Sequence, residues 1–205
     1  MSGKTAYEKA VTITEVGTFL NTGNSCGFTT FNFTSSLGTA DSSRIIVVAF
    51  QGSGCATRSL NSVTAAGVSL TQFGYPGVAS GDSQYFLAYG VVPTGTSGTI
   101  SITFSGSKDR GQGAVYAIYN AISATPYVSG SGASSTTVAT KYNSGIIACC
   151  GAYQASTFAW TNITEQYQGV TGSHRFTVAT QDALPAGSRT VSVSPSANIL
   201  LLGFR

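Results

Sequence analysis

Four stretches of the chain, residues 45–50, 114–119, 146–153 and 199–204, are apolar or small at nearly every position. They are too short for an ordinary buried helix and read as strands. Successive side chains of a strand point to opposite faces, so each stretch must be covered on both sides. A two-layer sandwich dries only the inner face of each sheet. Something must therefore cover the outer face as well, and the two candidates are residues 1–40 or another subunit. This is the residue-level ground for expecting an oligomer.

Other stretches alternate instead. Ile100, Ile102 and Phe104 interleave with Ser101, Thr103 and Ser105, and Phe31 and Phe33 with Thr30, Asn32 and Thr34, so these strands have one wet face. Turn signals such as Asn21-Thr22-Gly23-Asn24-Ser25 and Ala66-Gly67 cut the pattern every ten residues or so. With 25 Gly, 11 Phe and 10 Tyr, and few of the usual helix formers, the class is all-β, an antiparallel sandwich or barrel.

The strands recur in order. Ser43-Arg44-Ile45-Ile46 returns as Ser144-Gly145-Ile146-Ile147. Val92-Pro93-Thr94-Gly95, leading into Thr99-Ile100-Ser101-Ile102, returns as Leu184-Pro185-Ala186-Gly187, leading into Thr190-Val191-Ser192-Val193. A weaker echo links residues 67–74 with 162–169. Two similar halves are expected, beginning at Ser43 and Ser144. Residues 1–20 are expected to be an N-terminal arm or attachment segment, with Lys4, Glu8 and Lys9 among its residues. Residues 21–205 are expected to form a single sandwich in which the halves pair. The alternative is two small β domains, 21–125 and 140–205, joined through the flexible run Ser129-Gly130-Ser131-Gly132-Ala133-Ser134-Ser135.

Charged residues make up 8% of the chain, against about 25% for an ordinary soluble domain. Either the free surface is neutral and Ser/Thr/Asn-rich, as in some secreted proteins, or much of it is covered in an assembly. The second also accounts for the apolar excess and is preferred. A net charge of +3, dispersed along the chain, gives no footprint for nucleic acid or an anionic membrane. No apolar run approaches the roughly 20 residues of a membrane-spanning helix. The N-terminus lacks the apolar core of a signal peptide, so general secretion is not expected.

Chemistry is sought and mostly not found. Cys149 and Cys150 are adjacent and cannot share one core layer; one is expected to pack as a small hydrophobe, the other to face outward or across an interface. A bridge between Cys26 and Cys55 is one option, with free thiols or an intermolecular bond as the others. Without a Cys-x-x-Cys pair and with one histidine, His174, zinc is not expected. A serine-protease-like triad would need His174 and Asp182, but His174 beside Arg175 reads as a solvated loop residue, and no Gly-x-Ser-x-Gly elbow occurs. The seven acids, Glu8, Glu15, Asp41, Asp82, Asp109, Glu165 and Asp182, lie mostly in loop-like sequence and read as solvated turns, not as a glycosidase pair or calcium site. Ser2-Gly3-Lys4-Thr5 imitates only the end of a phosphate loop. Asn32-Phe33-Thr34 and Asn162-Ile163-Thr164 fit the glycosylation pattern and carry little weight without a secretory signal. No catalytic, cofactor-binding or metal-ligating residue is assigned, and no cofactor is expected.

Four segments together carry a resemblance: Ser43-Arg44-Ile45-Ile46-Val47-Val48-Ala49, Ser62-Val63-Thr64-Ala65-Ala66-Gly67-Val68, residues 98–105 and residues 114–121. The chain is similar over residues 40–205 to virion proteins of tailed bacteriophages and prophages. The resemblance implies a jelly-roll-like β-sandwich on the outside of a virion, as a non-enzymatic head decoration protein or a collar or tail accessory. It also implies partners among the other virion proteins and assembly in the host cytoplasm; the homo-oligomer is expected from the doubly apolar strands and the low charge. The alternative is a carbohydrate-binding module or surface adhesin that meets a host-surface glycan through Trp160 and exposed tyrosines, although a lone Trp in a strand is more often core.

Overall fold

Every regular element in the computed structural model, which describes residues 8–23, 25–74, 83–153 and 156–205, is a β-strand. They form four antiparallel sheets. The first half has an inner sheet in the order β1 (Thr12–Asn21), β9 (Arg110–Tyr119), β3 (Ile45–Ser53), β7 (Gln84–Val91), β6 (Thr71–Gly74). Its outer sheet runs β2 (Phe28–Ser36), β8 (Ser97–Lys108), β4 (Leu60–Ala65), β5 (Val68–Ser69). The second half has an inner sheet in the order β10 (Val128–Ala133), β17 (Asn198–Phe204), β12 (Ser144–Tyr153), β15 (His174–Leu184), β14 (Thr164–Thr171). Its outer sheet runs β11 (Ser135–Thr140), β16 (Gly187–Ser194), β13 (Ala159–Thr161).

Three apolar layers separate the four sheets. Phe31, Ile46, Val48, Phe50, Ile100 and Ile102 fill the first sandwich. Ile146, Ala148, Cys150, Val191, Ile199 and Leu201 fill the second. Between the two inner sheets lies a third layer, in which Val47, Ala49, Leu87, Tyr116 and Ile118 of the first half meet Ile147, Cys149, Phe176, Val178, Leu200 and Leu202 of the second. The doubly apolar stretches are β3, β9, β12 and β17, the central strands of these inner sheets. One face of each looks into its own sandwich and the other into the opposite half. Neither candidate cover from the sequence, residues 1–40 or another subunit, supplies the bulk of that layer. The chain covers itself, and the doubly apolar strands no longer argue for an oligomer.

The expected single sandwich of paired halves is accordingly two sandwiches packed back to back. In each, the first strand lies beside the last, and the chain crosses between sheets from strand to strand except at the hairpins β4-β5, β6-β7 and β14-β15. The orders β1-β9-β3-β7 with β2-β8-β4-β5, and β10-β17-β12-β15 with β11-β16-β13, are those of a jelly roll, the second lacking one outer strand. The halves begin earlier than expected, at β1 and β10 and not at Ser43 and Ser144. The run Ser129–Ser135, the flexible joint of the two-domain alternative, lies in β10 and the start of β11. Of the expected arm, residues 1–7 lie outside the described residues, and Thr12–Asn21 is a sheet strand paired along its length with β9.

The sequence match at Ser43 and Ser144 is one residue out of register. Val92 N–H donates to the Arg44 carbonyl, and Leu184 at the corresponding junction pairs with Ser144, so Arg44 and Ser144 are equivalent. Ile46 and Ile146 then both face their sandwich cores, and Val47 and Ile147 both face the middle layer. Matching Ile45 to Ile146 would put equivalent side chains on opposite faces, because a strand's period is two.

Cys149 and Cys150 do occupy different layers. Both are buried, Cys149 between the halves and Cys150 inside the second sandwich. The interface that Cys149 faces is internal to the chain.

Candidate functional site

The two halves differ most at one end of the first sandwich. There β1 ends, β3 ends and β9 begins, and the β1–β2 connection, longer than that between β10 and β11, is cross-linked to the β3–β4 connection. Cys26, between β1 and β2, is disulfide-bonded to Cys55, between β3 and β4, with Cα atoms 5.7 Å apart. Closing a loop of this size contributes on the order of 3 kcal/mol. Of the sequence alternatives for these cysteines, the intramolecular bridge is the one formed.

Under the bridge lies Lys108-Asp109-Arg110, whose Asp109 is among the acids expected in solvated turns. The segment is a tight turn with its charges turned inward. Lys108 is fully buried, its Nζ donating to the Ala56 carbonyl at 2.7 Å. Asp109 is also buried. Its carboxylate accepts from Cys26 N–H at 3.4 Å and pairs with Arg110. Gly54 closes over it with φ +82°, where a Cβ would lie 2.4 Å from that of Asp109, so backbone conformation and space both require glycine.

At the same end the apolar middle layer gives way to amides. Gln112 Nε2 donates to Gln51 Oε1 at 2.6 Å and to the His174 carbonyl at 3.1 Å. Gln51 Nε2 donates to Ser83 Oγ at 2.7 Å and to the Arg175 carbonyl at 3.1 Å. Both glutamines are fully buried and key one half onto main-chain groups of the other. The sequence reading missed them. Their signal was phase: Gln51 continues the Val47, Ala49 face of β3 at the spacing of two that points into the middle layer.

His174 is 6% exposed at the start of β15, its ring centroid 5.2 Å from that of Tyr153, and is not the solvated loop residue expected. Asp182 stands on the same strand eight residues on, about 26 Å away in an extended chain, so the two cannot form a triad. Among the acids, the solvated-turn reading fails for Asp109, which is buried, and for Glu15, Glu165 and Asp182, which lie on strands β1, β14 and β15. Asp82 lies outside the described residues. Among the described residues no three His, Cys, Asp or Glu side chains are placed to share a metal.

Glu15 accepts from the Tyr116 hydroxyl at 3.4 Å beside the middle layer. Burial raises its carboxyl above the ordinary range, the Tyr116 hydrogen bond opposing only in part. Burial, with Glu15 nearby, also raises Tyr116 and pushes Tyr167 to about 12. A carboxyl whose folded pKa is raised favours folding below its unfolded pKa and loses that contribution as pH rises through the folded value. Glu15→Gln is therefore expected to leave the urea midpoint unchanged below about pH 4 and to raise it at pH 7. A midpoint lowered or unmoved at pH 7 would contradict this.

The residues named for sugar stacking are not presented for it. Trp160 is half-buried against the second core, and its Nε1 donates to Thr177 Oγ1 at 3.0 Å. The exposed Tyr142 and Tyr153 flank opposite ends of β12, more than about 30 Å apart along the strand, and make no shared platform.

Beside the disulfide opens a cleft of about 320 Å³, between the β3–β4 connection, β6 and the start of β7. A second, of about 330 Å³, lies between β1 and β2 and is lined by Phe19, Leu20, Phe28 and Phe33. Against known proteins the chain matches no family model, no curated protein and no solved structure.

Proposed function

We propose that the chain is a non-enzymatic structural component of a bacteriophage virion, an exterior head decoration or collar or tail accessory that works by surface contact. The observation that carries this reading is the chemistry of the two outward sheet faces. Thr30-Thr103-Ser62 and Asn32-Ser101-Thr64-Ser69 form rows across the first outer sheet; Ser135-Ser192-Thr161 and Thr137-Thr190 form rows across the second. Only Lys108 and Arg189 are charged in all the strands of these sheets, and Lys108 is buried. Such faces suit contact with other proteins through hydroxyls and main chain, with no charge to desolvate. The free edge of β1 can accept a strand from a neighbour. The segments that carry the virion resemblance support the reading as well: they form β3, β4, β5, β8 and β9, the frame of one complete jelly roll.

In a lysate of cells producing the particle, the protein is expected to band with virions on a density gradient, at a fixed ratio to the major capsid protein. Recovery only from the soluble fraction would overturn the proposal.

A further inference from the structure

Arg58 lines the cleft beside the disulfide, and its guanidinium has no hydrogen-bond or ion-pair partner among the described residues; its Nε is buried and unpaired. An unpartnered buried guanidinium nitrogen is costly unless something supplies an acceptor.

The loop that carries Arg58 is held in place residue by residue. Cys55 is fixed by the disulfide, and the Ala56 carbonyl by buried Lys108. Arg58 N–H donates to Gln84 Oε1 at 2.8 Å. Ser59 N–H donates to Ser105 Oγ at 3.0 Å, and the Ser59 carbonyl accepts from Ser105 N–H at 2.8 Å. The arginine stem lies across Gly106, where a Cβ would come within 2.6 Å of Nε. So the chain spends a disulfide, a buried cation and a glycine on positioning a side chain that bonds nothing described in the protein.

The remaining cleft wall defines what would fit. Gln72, whose amide nitrogen also donates to the Asn61 carbonyl at 3.2 Å, offers its amide oxygen, Ser59 offers a hydroxyl, and Phe86 and Phe104 an apolar floor. One planar cation matches one carboxylate in a two-pronged contact. Amide and hydroxyl groups match sugar hydroxyls, and an apolar floor matches the C–H face of a ring. The volume is at the small end for ligand sites, about 300 Å³ upward, enough for one ring and its substituents. A nucleic acid or phosphorylated chain would call for several cations, and among the described residues the cleft lining holds one.

We infer that this cleft binds a carboxylate-bearing sugar residue, with Arg58 on the carboxylate. The inference stands apart from the virion assignment, which concerns the outer sheets and is read by co-banding with particles, so either can fail alone.

The test is calorimetric titration of the full chain with glucuronate, galacturonate and N-acetylneuraminate, with glucose, acetate and inorganic phosphate as controls. At least one acid sugar is expected to bind saturably, and more tightly than every control. Arg58→Ala should weaken that binding roughly 10–100-fold, and Arg58→Lys, which keeps the charge without the fork, by less. Gly106→Ala should weaken it by displacing the guanidinium while Arg58 is still present. Circular dichroism and melting must show each variant folded. Absence of binding by all three acid sugars at millimolar concentration would overturn the inference. So would acetate or phosphate binding as tightly as the acid sugars, or full affinity in folded Arg58→Ala.

Discussion

Expressed alone, residues 124–205 are expected to be insoluble or to self-associate, and to be rescued as a soluble complex by co-expression with residues 1–123. The second half has its own sandwich core, so it is not short of sequence to fold. What it lacks alone is the cover over Ile147, Cys149, Phe176, Val178, Leu200, Leu202 and Phe204, all at most 1% exposed in the intact chain. Full burial of side chains of this size is worth roughly 1.5–3 kcal/mol each. Losing even half of it for seven of them amounts to about 5–10 kcal/mol, comparable with the whole stability of a typical domain, about 5–15 kcal/mol. The cut would also expose a wide apolar sheet face, which drives association. Gel filtration and solubility measurements read the result. A fragment that stays a soluble monomer and melts as the intact chain does would show that the middle layer does not hold the halves together.

Arg44→Met is expected to cost about 3 kcal/mol or more, lowering the melting temperature by about 6–12 °C for a chain of this length. Arg44 is fully buried and meets only main-chain carbonyls. Its Nε donates to Val92 at 2.9 Å, one terminal nitrogen to Gly38 at 3.1 Å and Thr39 at 3.0 Å, and the other to Thr94 at 2.8 Å. It ties the connection before β3 to the Pro93 loop after β7. Methionine fills much of the volume but leaves four carbonyls without their donor. Arg44→Lys, with a single charged nitrogen, cannot reach all four and should fall between. At the equivalent place in the second half, Ser144 Oγ donates to the Lys141 carbonyl at 2.6 Å and accepts from the Tyr127 hydroxyl at 3.1 Å. The same joint is thus held there by short neutral groups. A melting temperature for Arg44→Met within about 2 °C of the parent would mean that the carbonyls find water instead.

The Arg44 joint shows how little of the site chemistry could be foreseen. In sequence it is only the variable position of Ser-x-Ile-Ile, and its burial follows from the Val92 and Thr94 carbonyls arriving from a loop some fifty residues away. Asp109 reads as a solvated turn because charge is normally exposed; it and Lys108 are buried because the Cys26–Cys55 bridge carries two loops over them. Arg58 is silent in the sequence, since one arginine in a Thr/Ser-rich loop forms no motif. Its interest comes from Gly106 and Gln84, which the fold brings from two other strands.

Local pattern was sufficient for what depends on neighbours along the chain. A period of two in Ile100–Phe104, unbroken apolarity in β3 and β12, and Pro-x-Gly before two matching strands determined the all-β class, the buried strands and the existence of a repeat, because side-chain alternation is a property of the strand itself. The identity of the cover over those strands was decided by tertiary structure alone. Whether Val47 rests against Val178 or against a different molecule changes nothing within either strand. Apolar faces have no direction or charge to name their partner, and only the assembled four layers show that the chain is its own.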